Sequence, residues 1–118
     1  MKKIKTIGYI AVDSGQVLIC DPCYINTEWN KEEKQLTTKN NFTEILKKAK
    51  GNFSYEGVCQ ASLSENKGGQ LNFKLGHIGA GVASSTYDGD GLYPVIAHYK
   101  TDKYCKTPSI YKLEIIFN

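Results

Sequence analysis

No apolar run in this chain approaches the roughly 20 residues that a membrane helix needs. The opening Met1-Lys2-Lys3 is basic, but residues 4–12 are interrupted by Lys5, Thr6 and Gly8, and no small-residue cleavage site follows. A secretory leader is therefore not expected. Without one, the four cysteines read as reduced thiols of a cytoplasmic protein. Arginine is missing, and the formal net charge of +3 is carried by lysine. That balance leaves room for an anionic ligand but falls short of the basic density of a dedicated nucleic-acid binder. No G-x-S-x-G elbow, H-E-x-x-H pair or Walker A loop occurs, so hydrolytic catalysis has little support and no cofactor is expected.

What is present suits one domain. The 118 residues are 41% hydrophobic and 23% charged, ordinary globular values. A chain of this length buries roughly two-thirds of its unfolded surface and needs no metal or disulfide to fold.

Two stretches concentrate turn formers and acids. The first runs Val12-Asp13-Ser14-Gly15, then Gln16 to Cys20, then Asp21-Pro22-Cys23-Tyr24; the second is Asp88-Gly89-Asp90-Gly91-Leu92-Tyr93-Pro94-Val95. Residues 6–12 mix β-branched, aromatic and small side chains as a strand does. Asp13-Ser14-Gly15 then supplies a tight reversal, with glycine at the positive-φ position. Val17-Leu18-Ile19-Cys20 has no polar residue, which predicts a strand covered on both faces. Pro22 should stop it near Asp21, having no N–H to give a ladder.

Residues 23–40 read as a long polar loop, with a short helix over 28–35. The next segment predicts an amphipathic helix over residues 42–50. Asn41 and Glu44 form an approximate capping box, Phe42, Ile45, Leu46 and Ala49 make one stripe, and Gly51 ends it. Its expected place is on a sheet.

From Asn52 onward the pattern reads β. Strands are expected over 53–64 and 71–83, joined by a turn at 65–69, with Leu71, Phe73 and Leu75 on one buried face. Gly76, Gly79 and Gly81 suggest a bend or a close approach by backbone or ligand. Further strands are expected over 92–99, where Pro94 argues for an edge or bulge, and over 110–117. The resulting fold class is mainly β (α+β): a curved antiparallel sheet or partly open barrel of about six or seven strands with one helix.

Val-Asp-Ser-Gly, Asp-Pro-Cys-Tyr and Gly-Asp-Gly-x-Tyr-Pro-Val, here 12–15, 21–24 and 89–95, resemble motifs of a group of small uncharacterised proteins from bacteria and their phages. The last is also similar to the signature of a bacterial domain of unknown function. The resemblance implies a bacterial or phage source, a β-rich fold and a setting in phage–host or toxin–immunity conflict. It carries over no catalytic residue.

The remaining chemistry divides into sharp and bland readings. Cys20 and Cys23 form a C-x-x-C, but zinc would have to borrow the single, distant Cys59 and Cys105, and no helix start follows for a redox motif; buried thiols are the plainer reading. Placing Gly91 sixth in a calcium loop puts Thr86 first and Ala97 twelfth, which excludes an EF-hand. Asp88 and Asp90 then cap a turn, unless a looser metal site joins them to Asp13 or Asp21. His77 and His98, in expected strands, read as structural. Residues 76–81, with Ser84, Ser85 and Thr86 after them, can offer amides and hydroxyls to an anion. No helix follows the glycines, so a dinucleotide fold is excluded.

These features point to a non-enzymatic protein that sequesters a small ligand, phosphate-bearing in one version, or occludes a protein partner. The expected ligand surface is Asp13, Asp21, Tyr24, Asp90 and Tyr93, should the two motif regions meet. The alternatives are a metal-dependent hydrolase using Asp and His residues and a structural phage component. No membrane partner is expected and nucleic acid is disfavoured, while strand edges invite a homo-oligomer.

Overall fold

The structure, a computed structural model, describes residues 2–31, 42–104 and 106–118. Its elements are β1 (Lys2–Val12), β2 (Gln16–Cys20), a 3-10 turn (Pro22–Tyr24), α1 (Phe42–Lys48), α2 (Tyr55–Ser62), β3 (Gly68–Asn72), β4 (Ile78–Ser85), β5 (Gly91–Lys100) and β6 (Ser109–Ile115). The protein is mainly β, as expected. Its six strands form two three-stranded antiparallel sheets rather than one curved sheet, and among the described residues no barrel closes. The chain divides into two compact units, Gln16–Thr86 and a second made of Met1–Gly15 with Tyr87–Asn118. No helix among the described residues is long and apolar enough to cross a membrane.

In the unit that joins both ends of the chain, the strand order is β1-β5-β6. The Asp13-Ser14-Gly15 turn therefore does not close a hairpin between β1 and β2; β1 pairs with β5, from Lys2↔Lys100 to Val12↔Gly91. Glycine is needed there all the same, because Gly15 sits at φ +71°. Ile7 is an extra residue between the pairs Thr6↔Ile96 and Gly8↔Val95, a β-bulge. Pro94 lies in the middle strand, not at an edge. Its carbonyl accepts from the Ile116 N–H at 3.5 Å. In an antiparallel strand the N and O of one residue face the same neighbour. The missing N–H of Pro94 thus falls just past Ile115, where the β6 ladder has ended.

The Gln16–Thr86 unit has strand order β2-β4-β3. The strand expected over 53–64 is instead the helix α2. Ser54 caps it, accepting from the Gly57 N–H at 3.0 Å, and α2 packs on β2, β3 and β4. Its Val58 and Ala61 share a core with Phe53, Leu71, Ala80 and Ala83. Gly57 is there because a Cβ would stand 1.7 Å from the Asn52 carbonyl oxygen. Helix α1 forms where the stripe placed it, but it packs beside α2 rather than on the sheet. The expected Asn41 cap and residues 32–35 of the expected 28–35 helix lie outside the described residues; residues 28–31 are not helical, Glu28 ending a turn and Asn30 forming a bridge with Ser54.

The strand expected over 71–83 is two strands, β3 and β4, folded back on each other around residues 73–77. Leu71 is fully buried while Leu75, at the tip, is 92% exposed, so the anticipated alternation breaks where the chain reverses. Strand β2 ends before Pro22 as expected. It is not covered on both faces, since Ile19 is more than half exposed; β2 is an edge strand, and Ile19 lies on its open face. Gly81 does mark a close approach: a Cβ there would meet Phe53, Leu18 and the Ile19 carbonyl at 3.1 Å.

Candidate functional site

Of the residues expected to bind a ligand, Asp13, Asp90 and Tyr93 share the terminal unit. Their two turns adjoin, since a Cβ built on Gly15 would lie 3.9 Å from the Gly89 Cα. Asp13 and Asp90 are exposed. Tyr93 is buried, its hydroxyl donates to the Gly89 carbonyl at 2.7 Å, and its ring packs edge-on against Phe117. Asp21 and Tyr24 belong to the other unit. Asp21 caps the 3-10 turn by accepting from the Cys23 N–H at 2.9 Å, and that bond holds its carboxyl below the usual carboxylate range. Tyr24 packs edge-on to Phe73 beside the core.

The other anticipated groups are accounted for individually. Cys20 and Cys23 are free thiols but not the buried ones expected, Cys20 being half-buried and Cys23 exposed; desolvation raises both, with the neighbouring Asp21 adding to the rise in each. A redox C-x-x-C needs the opposite shift, toward thiolate. Among the described residues, no three His, Cys, Asp or Glu side chains gather in a group able to hold a metal. His77 is in a loop rather than a strand, stacked on Phe73 at 4.6 Å. His98 pairs with Glu114 across β5 and β6. Of the glycine stretch, Gly76 lies in the turn before β4, and Gly81 is paired on both sides, with Cys20 of β2 and Leu71 of β3.

A site that no motif announced lies in the Gln16–Thr86 unit. The segment after α1 runs between two others. Asn30 N–H donates to the Phe53 carbonyl at 2.9 Å on one side, and Asn72 N–H to the Gly51 carbonyl at 2.7 Å on the other. Isolated parallel bridges, Asn30↔Ser54 and Asn52↔Asn72, continue that arrangement. Three asparagines from remote parts of the chain, Asn30, Asn52 and Asn72, thereby line one cleft of about 260 Å³ with Phe53 and Phe73. Its rim carries Glu28 and Lys74. The Glu28 carboxylate accepts from the Lys74 backbone N–H at 2.8 Å, tying the loop before residue 31 to the β3–β4 tip.

A second hollow, of about 530 Å³, shares Gly51 and Asn72 with the first and continues along α2 and β3, past Gln60, Asn66 and Gln70. Gly51, at φ +81°, gives the Asn72 amide its place, because a Cβ there would come within 2.8 Å of Nδ2. Lys50 and Glu65 line this part as Lys74 and Glu28 line the other. The whole lining is thus rich in side-chain amides and balanced in charge. Each amide offers two donor hydrogens and two acceptor lone pairs, so such a wall suits a ligand with a mixed hydrogen-bonding edge.

No protein-family model, curated protein or solved structure matches the chain.

Proposed function

We propose that the protein is a non-catalytic binding protein, and that the cleft of Asn30, Asn52 and Asn72 takes up a small polar ligand of the nucleoside type, with or without a phosphate. The observation that carries this reading is that Asn30, Asn52 and Asn72, remote from one another in the chain, line one concave site together with Phe53 and Phe73. Binding sites for small molecules combine an apolar wall with a few placed polar groups in this way, and asparagine pairs well with the edge of a heterocyclic base. The matched Lys and Glu residues disfavour a bare anion. A phosphate attached to a neutral body would lie toward Lys74 or Lys50. Sequestration as the task, and conflict between phage and host as the setting, are supported by the motif resemblance and by the cleft's need for no activated nucleophile.

Calorimetric titration with adenosine, guanosine, cytidine and uridine, each with its 5′-monophosphate, tests the reading. One member should bind saturably at one site per chain. Asn30→Ala should weaken it about fivefold, the loss of one net hydrogen bond. Lys74→Ala preserves the backbone bond to Glu28 and should weaken only the phosphorylated member. Flat titrations across the panel would remove the nucleoside assignment.

A further inference from the structure

Hydrogen-bond alternation decides which backbone groups of β3 are engaged. In an antiparallel strand the N–H and C=O of one residue face the same neighbour, and those of the next residue face the other way. The Ser85 N–H donates to the Lys67 carbonyl at 2.8 Å, so residues 67, 69 and 71 point their backbone groups at β4. Gly68, Gln70 and Asn72 point theirs at the opposite edge. Asn72 is met there by the chain itself: its N–H donates to the Gly51 carbonyl, and Asn52 bridges it in parallel. Among the described residues, no backbone group meets the outward N–H or C=O of Gln70. The Gly68 carbonyl accepts from the Ser64 hydroxyl at 3.3 Å and retains a second lone pair.

The hollow of about 530 Å³ opens along this edge, walled by Gln60 and Ala61 of α2 and by Ser64. Strand β3 reads Gly-Gly-Gln-Leu-Asn, without the lysine or proline that commonly guards an exposed edge. Charged residues line the hollow at opposite ends. Glu65 is in the turn leading into Gly68, and Lys50 adjoins Gly51 beside Asn72. Lys67 shares the turn with Glu65 but is not part of the lining.

We propose that this hollow takes the extended C-terminal tail of a partner protein, added to the edge of β3 as a further strand. The tail runs parallel to β3, the direction that Asn52 already adopts on the same edge. Its residue opposite Gly69 donates to the Gly68 carbonyl and accepts from the Gln70 N–H, and the Gln70 carbonyl takes the next N–H along. Four residues of β3, Gly68–Leu71, precede Asn72, so about four residues of the tail are held, at about 3.3 Å each. Gly51 closes the row at one end, so the tail stops there, with its carboxylate at Lys50. A basic side chain further back suits Glu65. The reverse direction would lead the carboxylate to Glu65 instead. This occupant is distinct from the ligand of the asparagine cleft, and the proposal stands without that ligand.

Affinity selection by the whole chain, from synthetic hexapeptides of randomised sequence with a free carboxyl terminus, supplies the probe. The most enriched peptide should bind one per chain in calorimetry, and its C-terminal amide about tenfold more weakly. Amide hydrogen exchange reads the place. In the free chain the Gln70 N–H should exchange fast while that of Leu71, paired with Gly81, is protected; the peptide should slow Gln70. Gln70→Pro removes only an outward N–H, which a strand edge tolerates, and should weaken binding about fivefold, the loss of one net hydrogen bond. Lys50 is exposed, and Lys50→Glu should abolish the preference for carboxylate over amide. Should Gln70→Pro fail to fold, the exchange of Gln70 and the Lys50→Glu variant decide the matter. A library that enriches nothing, a Gln70 N–H protected before any peptide is added, or an amide that binds as tightly as the carboxylate would each overturn the proposal.

Discussion

The Tyr93 hydroxyl donates to the backbone carbonyl of Gly89 at 2.7 Å, so the side chain that begins β5 closes the loop leading into it. The same ring packs edge-on to Phe117, and the Phe117 carbonyl accepts from the Asp88 N–H at 3.1 Å. One buried tyrosine thus binds the Asp88–Gly91 corner to the segment that follows β6. Tyr93→Phe keeps the ring contact and removes only the hydroxyl bond. It should lower stability by about 1 kcal/mol, read as a shift in the urea midpoint with the slope unchanged.

Gly15 faces that corner from the end of β1. Its φ of +71° is strained for any residue with a Cβ, most of all a β-branched one. Gly15→Val should therefore destabilise by roughly 1–3 kcal/mol. Thermal melting checks this, and an unchanged midpoint would show that the turn relaxes at no energetic expense.

Ser54 is fully buried and satisfies the Gly57 N–H at the start of α2. Ser54→Ala should destabilise by about 1–2 kcal/mol, the upper part of the range for helix caps. Circular dichroism during denaturation is the measurement, with lost helical signal expected in step with the melt.

That helix also shows where the sequence was readable and where it was not. Helix α1 was legible because its stripe of Ile45, Leu46 and Ala49 and its stop at Gly51 are local signals. The end of β2 at Pro22 and the positive φ at Gly15 were legible for the same reason. Helix α2 was hidden because packing against Asn52 demands Gly57, a poor helix former, and because Val58 and Cys59 look like strand residues. The separation into two sheets was also out of reach, since β1 finds its partner in β5 near the far end of the chain. Of the expected ligand residues, the turns at Asp13 and Asp90 were legible from their glycine and acid content, but their adjacency comes from the pairing of Val12 with Gly91. The asparagine cleft could not. Asn30, Asn52 and Asn72 share no motif, and only backbone bonds between distant segments bring them together.

Leu71 and Leu75 look equivalent in the sequence and are opposites in the fold. Leu71 is 0% exposed in the core beneath α2, and Leu75 is 92% exposed at the hairpin tip. Leu71→Ala should cost about 2–5 kcal/mol by leaving a cavity, while Leu75→Ala should stay within about 0.5 kcal/mol of the parent. Equal effects from the two substitutions, by chemical denaturation, would contradict the reversal of the chain around residues 73–77.

Glu114 provides a pH dependence with a definite sign. The hydrogen bond from His98, and then the charge of Lys112, hold its carboxyl below the ordinary carboxylate range. A carboxyl depressed by folding stabilises the native chain above its unfolded pKa, about 4.3. That contribution disappears as pH falls through the lower, folded value. Glu114→Gln cannot ionise, so it should lose stability relative to the parent near pH 6 and converge with it toward pH 3, at roughly these values. Urea midpoints of the two proteins across that interval make the comparison. Parallel curves throughout would mean that the pair on β5 and β6 adds nothing to folding and that Glu114 titrates as it would in the unfolded chain.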